Sequence, residues 1–278
     1  MTDTYHPEAF ADAWLSAACA SGAEKDRPAL NRTVLIEQYD GHGARLVSTD
    51  GYVLFSAWVP STEATFAMWA PPLLMEAPDR VAVAMDTDGR AASLFKFIRS
   101  TAAKEDGPDL GELTVSLGDP ADHPDKPGQL AGMAVTYVSF ELPNRERLQL
   151  PIFEGKYPDW RGLADGFIGE TTDRISLGAE NLKRIAKLMA LRPSHQLRWT
   201  FGGTNTGAWV EVYSDEQQAH GVRVEGLAMP VHWDVELNQP MASTVAAAEE
   251  TEADDEDGDG VVVSIDRGVP GYPDEEPF

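Results

Sequence analysis

One pattern recurs three times along this chain, and it limits the folds that the chain can adopt. Each copy has a short extended segment, then an amphipathic helix of roughly 12 to 15 residues, then several strands of alternating hydrophobicity. The first copy opens at Thr4–His6, and its helix begins at Pro7, a residue favoured in the first helical turn. Its predicted inward face carries Phe10, Trp14, Leu15 and Ala18, and its predicted strands are 33–39, 44–48 and 52–59.

The other two copies repeat this order. The second has a leading strand 80–85, a turn at Asp88–Gly89, a helix through Leu94, Phe97, Ile98 and Thr101, and strands 113–117, 134–142 and 148–153. The third has a leading strand 174–177, a helix with Leu182, Ile185, Ala186 and Met189 at inward spacing, and strands 196–201, 208–213 and 221–229. Such repetition predicts an α+β fold of strand-helix-strands units, with the helices on one face of antiparallel sheets.

The unit count also predicts the domain organisation. Residues 1–165 hold two units and form one predicted domain, and residues 166–234 hold a third unit and form a second. From about residue 235 the pattern decays into a run of acids and a Pro- and Gly-rich end, which cannot bury enough apolar surface to offset its ordering entropy. Residues 235–278 are therefore predicted to be a disordered acidic tail.

Charge and cysteine content narrow the function classes. The net charge of −24 disfavours a protein that grips nucleic acid tightly through its phosphates. Residues 244–278 hold twelve acids and one Arg, or −11 of that total, so the predicted folded part is less acidic. The single cysteine, Cys19, excludes an internal disulfide and a multi-thiolate zinc site. No run approaches about 20 apolar residues and no signal-peptide pattern is present, which predicts a cytoplasmic protein.

Several short motifs resemble one family when they are taken in order. Residues 27–31, 33–37 and 46–51 resemble central-domain strands of the bacterial DNA polymerase III beta subunit, the sliding clamp, which end in an Ala-Thr-Asp-Gly turn. Tyr157–Arg161 resembles that family's Phe-Pro-Asp-Tyr-Arg linker, and Leu227–Val231 resembles the Met-Pro segment near its C-terminus. The resemblance spans residues 4 to 233, and the short length hints at a divergent, phage-encoded member.

The resemblance implies a hydrophobic pocket for short peptides of polymerases and clamp loaders. Carried over by position, its lining is Leu30, Thr49, Gly51, Tyr52, Leu54, Pro158, Arg161, Leu163, Met229, Pro230 and Val231. Apolar and small residues beside a few polar groups suit a groove for an extended peptide, although core packing would also account for Leu54, Leu163 and Met229. The sequence departs from the family at Tyr52 and Val53, where the usual residues are His and Arg, which alters the expected peptide specificity.

The resemblance also implies that helices line the hole of a ring and turn basic residues toward duplex DNA. The candidate DNA contacts lie on the second and third helices: Arg90, Lys96, Arg99, Lys104, Lys183, Arg184, Lys187 and Arg192. A solvated cationic face is the alternative, but Lys and Arg are scarce in this acidic chain and collect on these helices. The first helix carries Glu8 and Asp12 and no cation, so it is expected to lie away from DNA.

The number of units predicts an oligomer. Three units per chain would require four chains to complete a ring of this family, and a fourth unit hidden in residues 60–80 or 120–170 would reduce that number to three. The third unit alone would also leave a sheet edge that a neighbour must cover. A homo-oligomeric ring of three or four chains is therefore expected.

Other chemistry finds little support in the sequence. Residues 255–260 with Asp266 match the spacing of a calcium-binding loop, but Gly268, Pro270 and Gly271 prevent the helix that should follow. Residues 202–207 lack the Lys-Ser/Thr pair of a phosphate loop and predict a turn. No catalytic constellation, cofactor motif or metal spacing occurs, which argues against an enzyme. The resemblance makes a sliding clamp without enzyme activity the leading hypothesis. A clamp-like adaptor that binds peptides without forming a ring is the alternative.

Overall fold

The strands and the three longer helices follow the three predicted copies, and a short helix at 160–165 was not predicted. The computed structural model describes residues 2–22, 30, 32–64, 78–104, 107–118, 137–143, 147–153, 156–165, 177–191, 196–201, 207–213 and 222–229. Four helices are present in these residues: α1 (Pro7–Ala18), α2 (Arg90–Ala102), α3 (Trp160–Asp165) and α4 (Ala179–Ala190). The strands are β1 (Thr2–Tyr5), β2 (Thr33–Tyr39), β3 (Gly43–Thr49), β4 (Val53–Pro60), β5 (Arg80–Met85), β6 (Leu113–Gly118), β7 (Tyr137–Glu141), β8 (Arg147–Pro151), β9 (Gln196–Phe201), β10 (Ala208–Tyr213) and β11 (Arg223–Ala228).

Four predicted strands, β2, β5, β9 and β10, have their predicted bounds, and the others end within three residues of them. The predicted leading strand of the third copy, 174–177, lies outside the described residues except for Leu177. End residues depend on fraying, whereas the positions of the elements follow from periodicity.

Two antiparallel sheets result. One has four strands in the order β1-β6-β7-β8, and the other has seven in the order β5-β2-β3-β4-β11-β10-β9. The sheets meet where β5 approaches the end of β8, through a bridge between Ala84 and Ile152 and a 2.8 Å bond from the Phe153 amide to the Val83 carbonyl. The first and third units share one sheet, because β4 pairs with β11 from Val53–Ala228 to Trp58–Arg223.

Helices α1 and α4 pack on one face of the seven-stranded sheet, which is called the helix-covered face below. Helix α2 packs against α1 and approaches β8 of the four-stranded sheet. The core beneath the helix-covered face is apolar, with Trp14 and Phe10 on α1 packed against Phe95 on α2 and Phe140 on β7 at ring distances of 5.1 to 5.9 Å. Helix α1 is buried along almost all of its length. It therefore forms the centre of this layer and does not face solvent.

The turn predicted at Asp88–Gly89 is present, and Asp86 caps the helix that follows it. Asp86 accepts hydrogen bonds from the amides of Ala91 and Ala92, both at 2.9 Å, and so caps α2 from ahead of Gly89. Gly89 has a φ of 71°, a left-handed conformation that glycine adopts without steric cost. The chain therefore turns sharply between β5 and α2, as the second copy predicted.

The inward face of α4 differs from the prediction. Asn181, Ile185 and Leu188 are the buried positions, whereas Leu182 is 49% exposed, Ala186 is exposed and Met189 is half-buried. The helix carries two adjacent apolar stripes, and periodicity alone favoured the wrong one. On α2 the buried aromatic residue is Phe95, and Phe97 is 50% exposed.

The chain divides into two compact parts, Met1–His232 and Trp233–Phe278, which are distinct from the repeated units. All described residues belong to the first of these two parts, so the predicted tail and its Asp-rich segment 255–266 lie outside the described residues. The domain boundary at residue 165 and the number of subunits stay predictions. Within the described ranges, no helix is long and apolar enough to span a membrane.

Candidate functional site

The turn between β3 and β4 forms one side of the candidate peptide groove. Asp50 Oδ1 accepts hydrogen bonds from the amides of Tyr52 (2.9 Å) and Val53 (2.8 Å), while Thr49 Oγ1 accepts from Gly51 (2.9 Å) and donates to the Val53 carbonyl (2.7 Å). Gly51 has a φ of 93°, which the turn requires. These bonds hold the backbone while the Tyr52 side chain stays 53% exposed.

The end of β11 forms the other side. The Met229 amide donates to the Tyr52 carbonyl at 2.8 Å, and Leu227 lies opposite Leu54 in the β11–β4 register. Asn181 on α4 donates from Nδ2 to the Met229 carbonyl at 3.1 Å. The two chain segments that the resemblance assigned to one pocket are thus bonded to each other.

A second apolar cluster lies on the sheet face opposite the helices. Successive strand residues point to opposite faces, so Leu54 and Leu227 join this cluster while Phe55 and Ala228 join the helix-covered core. Its buried members are Leu35, Val47, Leu54, Val83, Trp160 and Leu227, and Phe153, Tyr157, Trp209 and Met229 pack against it partly buried. Residues 156–165, called the linker below, contribute Tyr157 and Trp160 to this cluster. The sheet face that carries the cluster is therefore called the linker-covered face.

The linker is anchored on Glu37 of β2. Arg161 binds the Glu37 carboxylate at both oxygens, with Nη1–Oε1 at 2.7 Å and Nη2–Oε2 at 2.6 Å, and Trp160 Nε1 donates to Oε1 at 3.2 Å. Arg161 also donates to the Tyr39 hydroxyl at 2.7 Å, and the Tyr157 hydroxyl donates to the Val47 carbonyl at 3.3 Å. Bidentate geometry makes such an anchor both strong and directional.

The electrostatics of this anchor follow from burial and from Glu37. Burial acts to lower the pKa of Arg161, but the hydrogen bond and charge of Glu37 outweigh it and raise the pKa. Burial, reinforced by the Glu37 charge, raises the pKa of Tyr39. Burial also raises the pKa of Tyr157. Both phenols are therefore neutral at neutral pH. The Tyr39 hydroxyl accepts a hydrogen bond from Arg161, and the Tyr157 hydroxyl donates one to Val47.

A buried ion pair joins the first unit to the third beneath the linker. Arg45 on β3 donates from Nη1 to Ser56 Oγ at 2.8 Å and to Glu225 Oε1 on β11 at 3.1 Å, and the two charged side chains are 1% and 5% exposed. Burial lowers the pKa of Arg45, and Glu225 opposes that effect. The guanidinium carbons of Arg45 and Arg161 lie 5.0 and 4.6 Å from the Trp160 ring centre, within cation–π range.

The predicted pocket residues fall into three groups. Thr49, Gly51, Tyr52, Leu54 and Met229 come together at the β3–β4 turn and the end of β11. Pro158, Arg161 and Leu163 belong to the linker, where Arg161 is bound to Glu37 and Leu163 is 47% exposed. Leu30 is half-buried and accepts a bond from the Gly22 amide, and Pro230 and Val231 lie outside the described residues.

Sequence reasoning missed Glu37, Arg45, Trp160 and Glu225 as members of this region. Charged residues inside strands of otherwise apolar character, as in 33–39 and 43–49, were the available signal. Such residues are almost never fully buried unless they are paired. Their partners lie far along the chain, so the signal could show that a partner exists but not which residue it is.

The predicted DNA contacts also divide. Arg90, Lys96, Lys104, Lys183 and Lys187 are exposed on α2, its C-terminal end and α4. Arg90 lies 3.7 Å from Asp88, and Lys183 pairs with Glu180. That pairing lowers the pKa of Glu180. Arg192 lies outside the described residues.

The remaining two cations are half-buried and bonded to other elements of the fold. Arg99 lies 3.7 Å from Asp12 of α1 and donates to the Leu191 carbonyl at the end of α4. Arg184 lies 2.8 Å from Asp50 and donates to the Ser21 carbonyl at 2.7 Å. These two arginines connect α1, α2, α4 and the β3–β4 turn, so their local contacts differ from those of the exposed lysines.

The repeated units, the two antiparallel sheets and the helix layer define a DNA-clamp fold. No family model matches the sequence, and no curated protein sequence matches it significantly. Solved structures do match. The DNA polymerase III subunit beta from Pseudomonas aeruginosa aligns with a TM-score of 0.51 at 14% identity, over 84% of this chain and 66% of that one.

Two further clamp structures from Pseudomonas aeruginosa give the same result. A DNA polymerase sliding clamp aligns with a TM-score of 0.52 at 13% identity, covering 84% of this chain and 67% of that one. A DnaN sliding clamp bound to griselimycin aligns with a TM-score of 0.52 at 13% identity, covering 84% and 66%. This chain therefore has the fold of bacterial DNA polymerase III beta sliding clamps, at low identity and over about two thirds of their length.

Proposed function

We propose that the protein is a sliding clamp, a non-catalytic processivity factor that encircles duplex DNA in the cytoplasm as a homo-oligomeric ring. The observation that carries the proposal is the clamp fold combined with cations on the exposed sides of two helices. The acidic chain makes these cations notable, because a net charge of −24 opposes tight binding to phosphates. Weak contacts suit a ring that must slide.

In this proposal the ring acts through topology. Lys96, Lys104, Lys183 and Lys187, with Arg90, contact phosphates without reading sequence. A closed ring converts a short-lived polymerase contact into a tether and raises the effective concentration of the enzyme at its template. No bond is made or broken by the protein, so no catalytic group is required.

Retention on DNA tests the ring. The protein, once loaded, is expected to stay on covalently closed circular DNA in high salt and to leave the same DNA when it is linearised, because only a free end releases a ring. Equal loss from circular and linear DNA would refute encirclement. Light scattering coupled to chromatography should give three or four chains per particle, and a monomer would favour the adaptor alternative.

Substitution of the exposed lysines tests the DNA contacts. The double variant Lys96→Ala, Lys187→Ala is expected to weaken binding to duplexes of every sequence and to reduce the slope of log affinity against log salt by about 1 per lysine. Lys156→Ala, an exposed lysine outside α2 and α4, is the control and should leave the slope unchanged. Equal effects of the two substitutions would argue against helix-specific contacts.

We further propose that the apolar surface beside Tyr52 and Met229, the candidate groove, receives extended peptides of a DNA polymerase and a clamp loader. Its support is the apolar linker-covered face, where Leu54, Leu227 and Trp209 lie beside those two residues. Griselimycin, which is bound to the clamp of similar fold from Pseudomonas aeruginosa, is the probe. Binding should be lost in Met229→Asp and kept in Lys96→Ala, which changes an exposed residue of α2, and equal binding to both variants would remove the groove from the proposal.

A further inference from the structure

Helix α4 reaches both sides of the candidate groove from the opposite side of the sheet. Arg184 and Asn181 lie three residues apart, on the side of the helix that also carries the buried Ile185 and Leu188. Arg184 binds the turn that precedes Tyr52, and Asn181 binds the carbonyl of Met229. One helix thus holds the two segments that form the rim of the groove.

Asp50 transmits the first contact. Its Oδ2 lies 2.8 Å from Arg184 Nη2, while its Oδ1 accepts the amides of Tyr52 and Val53. The carboxylate is largely buried, so loss of the guanidinium would leave a charge with poor access to water. The same Arg184 donates to the Ser21 carbonyl at the end of α1, which fixes its own position.

Asn181 transmits the second contact. It is 5% exposed, and its Nδ2 bond to the Met229 carbonyl complements the bond from the Met229 amide to Tyr52. Met229 is therefore held on both its backbone groups just past the end of β11. An apolar residue at position 181 would leave that carbonyl without this donor.

We propose that Asn181 and Arg184 are positioning residues of the peptide groove, which they shape from the helix layer through Met229 and Asp50. The proposal rests on the peptide-binding function proposed above. It also gives Arg184 a role distinct from the DNA contacts of Lys183 and Lys187, its neighbours on the same helix. Peptide binding at the groove then depends on the buried side of α4, whereas the exposed side of the same helix carries Lys183 and Lys187.

Amide hydrogen exchange tests the positioning without any ligand. In Arg184→Met the amides of Tyr52 and Val53, and in Asn181→Ala the amide of Met229, are expected to exchange about tenfold faster, with the β2 and β7 amides unchanged. Leu182→Ala, on the exposed side of α4, should change none of them. Unchanged exchange at the rim, or equal acceleration throughout the fold, would overturn the proposal.

Griselimycin binding completes the test. Its dissociation constant should rise about tenfold in Arg184→Met and in Asn181→Ala, and Arg184→Lys should recover part of the loss because a lysine can still reach Asp50. Unchanged affinity despite faster rim exchange would overturn the role in binding. Failure of the wild-type protein to bind griselimycin would instead count against the peptide groove itself, and the exchange rates would still decide whether α4 holds the turn.

Discussion

The two faces of the seven-stranded sheet are stabilised in different ways. In the core beneath the helix-covered face, aromatic rings such as Trp14 and Phe95 pack against each other and among aliphatic side chains. On the linker-covered face, Glu37, Arg45 and Glu225 are buried among apolar neighbours and are held in ion pairs. The same strands contribute to both faces through alternate residues.

This difference separates stability from positioning. Apolar packing is non-directional and grows with the area removed from water, so it holds the layers together without specifying one arrangement closely. A buried ion pair contributes little net stability compared with an apolar replacement, but it is costly to break and has strict geometry. The third unit is attached by such a buried pair, Arg45–Glu225, and the linker is attached by the partly exposed pair Arg161–Glu37. Both segments border the candidate groove.

The largest effect should come from the helix-covered face. Phe95→Ala is expected to reduce the free energy of unfolding by about 4 kcal/mol, through lost transfer energy and the cavity that remains among Phe10, Trp14 and Phe140. Phe97→Ala, which truncates the exposed phenylalanine on the same helix, should change it by less than about 0.5 kcal/mol. Denaturant titration of both variants measures the contrast, and similar losses would contradict the buried position of Phe95.

A somewhat smaller loss is expected from the buried ion pair. Glu225→Ala leaves the Arg45 charge without its carboxylate and should cost about 3 kcal/mol in unfolding free energy. The double variant Arg45→Met, Glu225→Leu should recover most of that loss, because neither charge of this pair then remains buried. Denaturant titration decides between the two outcomes, and a double variant as unstable as the single one would show that the pair itself is strongly stabilising.

The linker anchor should have a moderate effect. Arg161→Ala removes the bidentate contact with Glu37, and because Arg161 is partly solvent-screened the expected cost is about 1 to 2 kcal/mol. Arg161→Lys should lose part of this energy, since a lysine cannot bind both carboxylate oxygens in the same plane. The free energy of unfolding and the rate of proteolytic cleavage next to the linker give two measurements. Equal stability of all three proteins would contradict the anchor.

Alkaline pH should give the smallest effect. Because the pKa of Tyr39 is raised in the folded protein, the unfolded chain loses its phenolic proton first as the pH rises. The contribution of Tyr39 to stability is therefore expected to be constant below the ordinary tyrosine pKa, about 10, and to be lost above it. Tyr39→Phe should make the alkaline loss shallower in unfolding curves recorded at successive pH values, and the rest of the loss should come from tyrosines such as Tyr157, whose pKa is also raised. An unchanged slope would exclude Tyr39 as a source of the alkaline loss.

The sequence by itself determined the order and position of the strands and of the three longer helices, but not of α3. Each of these elements depends on residues close to each other in the chain. Examples are the strand Thr33–Tyr39, the helix that begins at Pro7 and the turns at Asp50 and Asp86. Periodicity, proline geometry and Asp side-chain bonding are local effects, so they can be recognised before the fold is known. The clamp resemblance followed from the order of these elements and of the short motifs between them.

The tertiary structure alone decided which charged residues are bonded to distant segments of the chain. Arg184 and Lys187 look alike in the sequence, yet only Arg184 meets Asp50, and Arg45 meets Glu225 across 180 positions of chain. The same holds for α4, where the buried face centres on Asn181, Ile185 and Leu188 because Met229 and the helix-covered core lie on that side. Partner choice for a buried charge depends on contacts between segments distant in sequence, and no local pattern encodes those contacts.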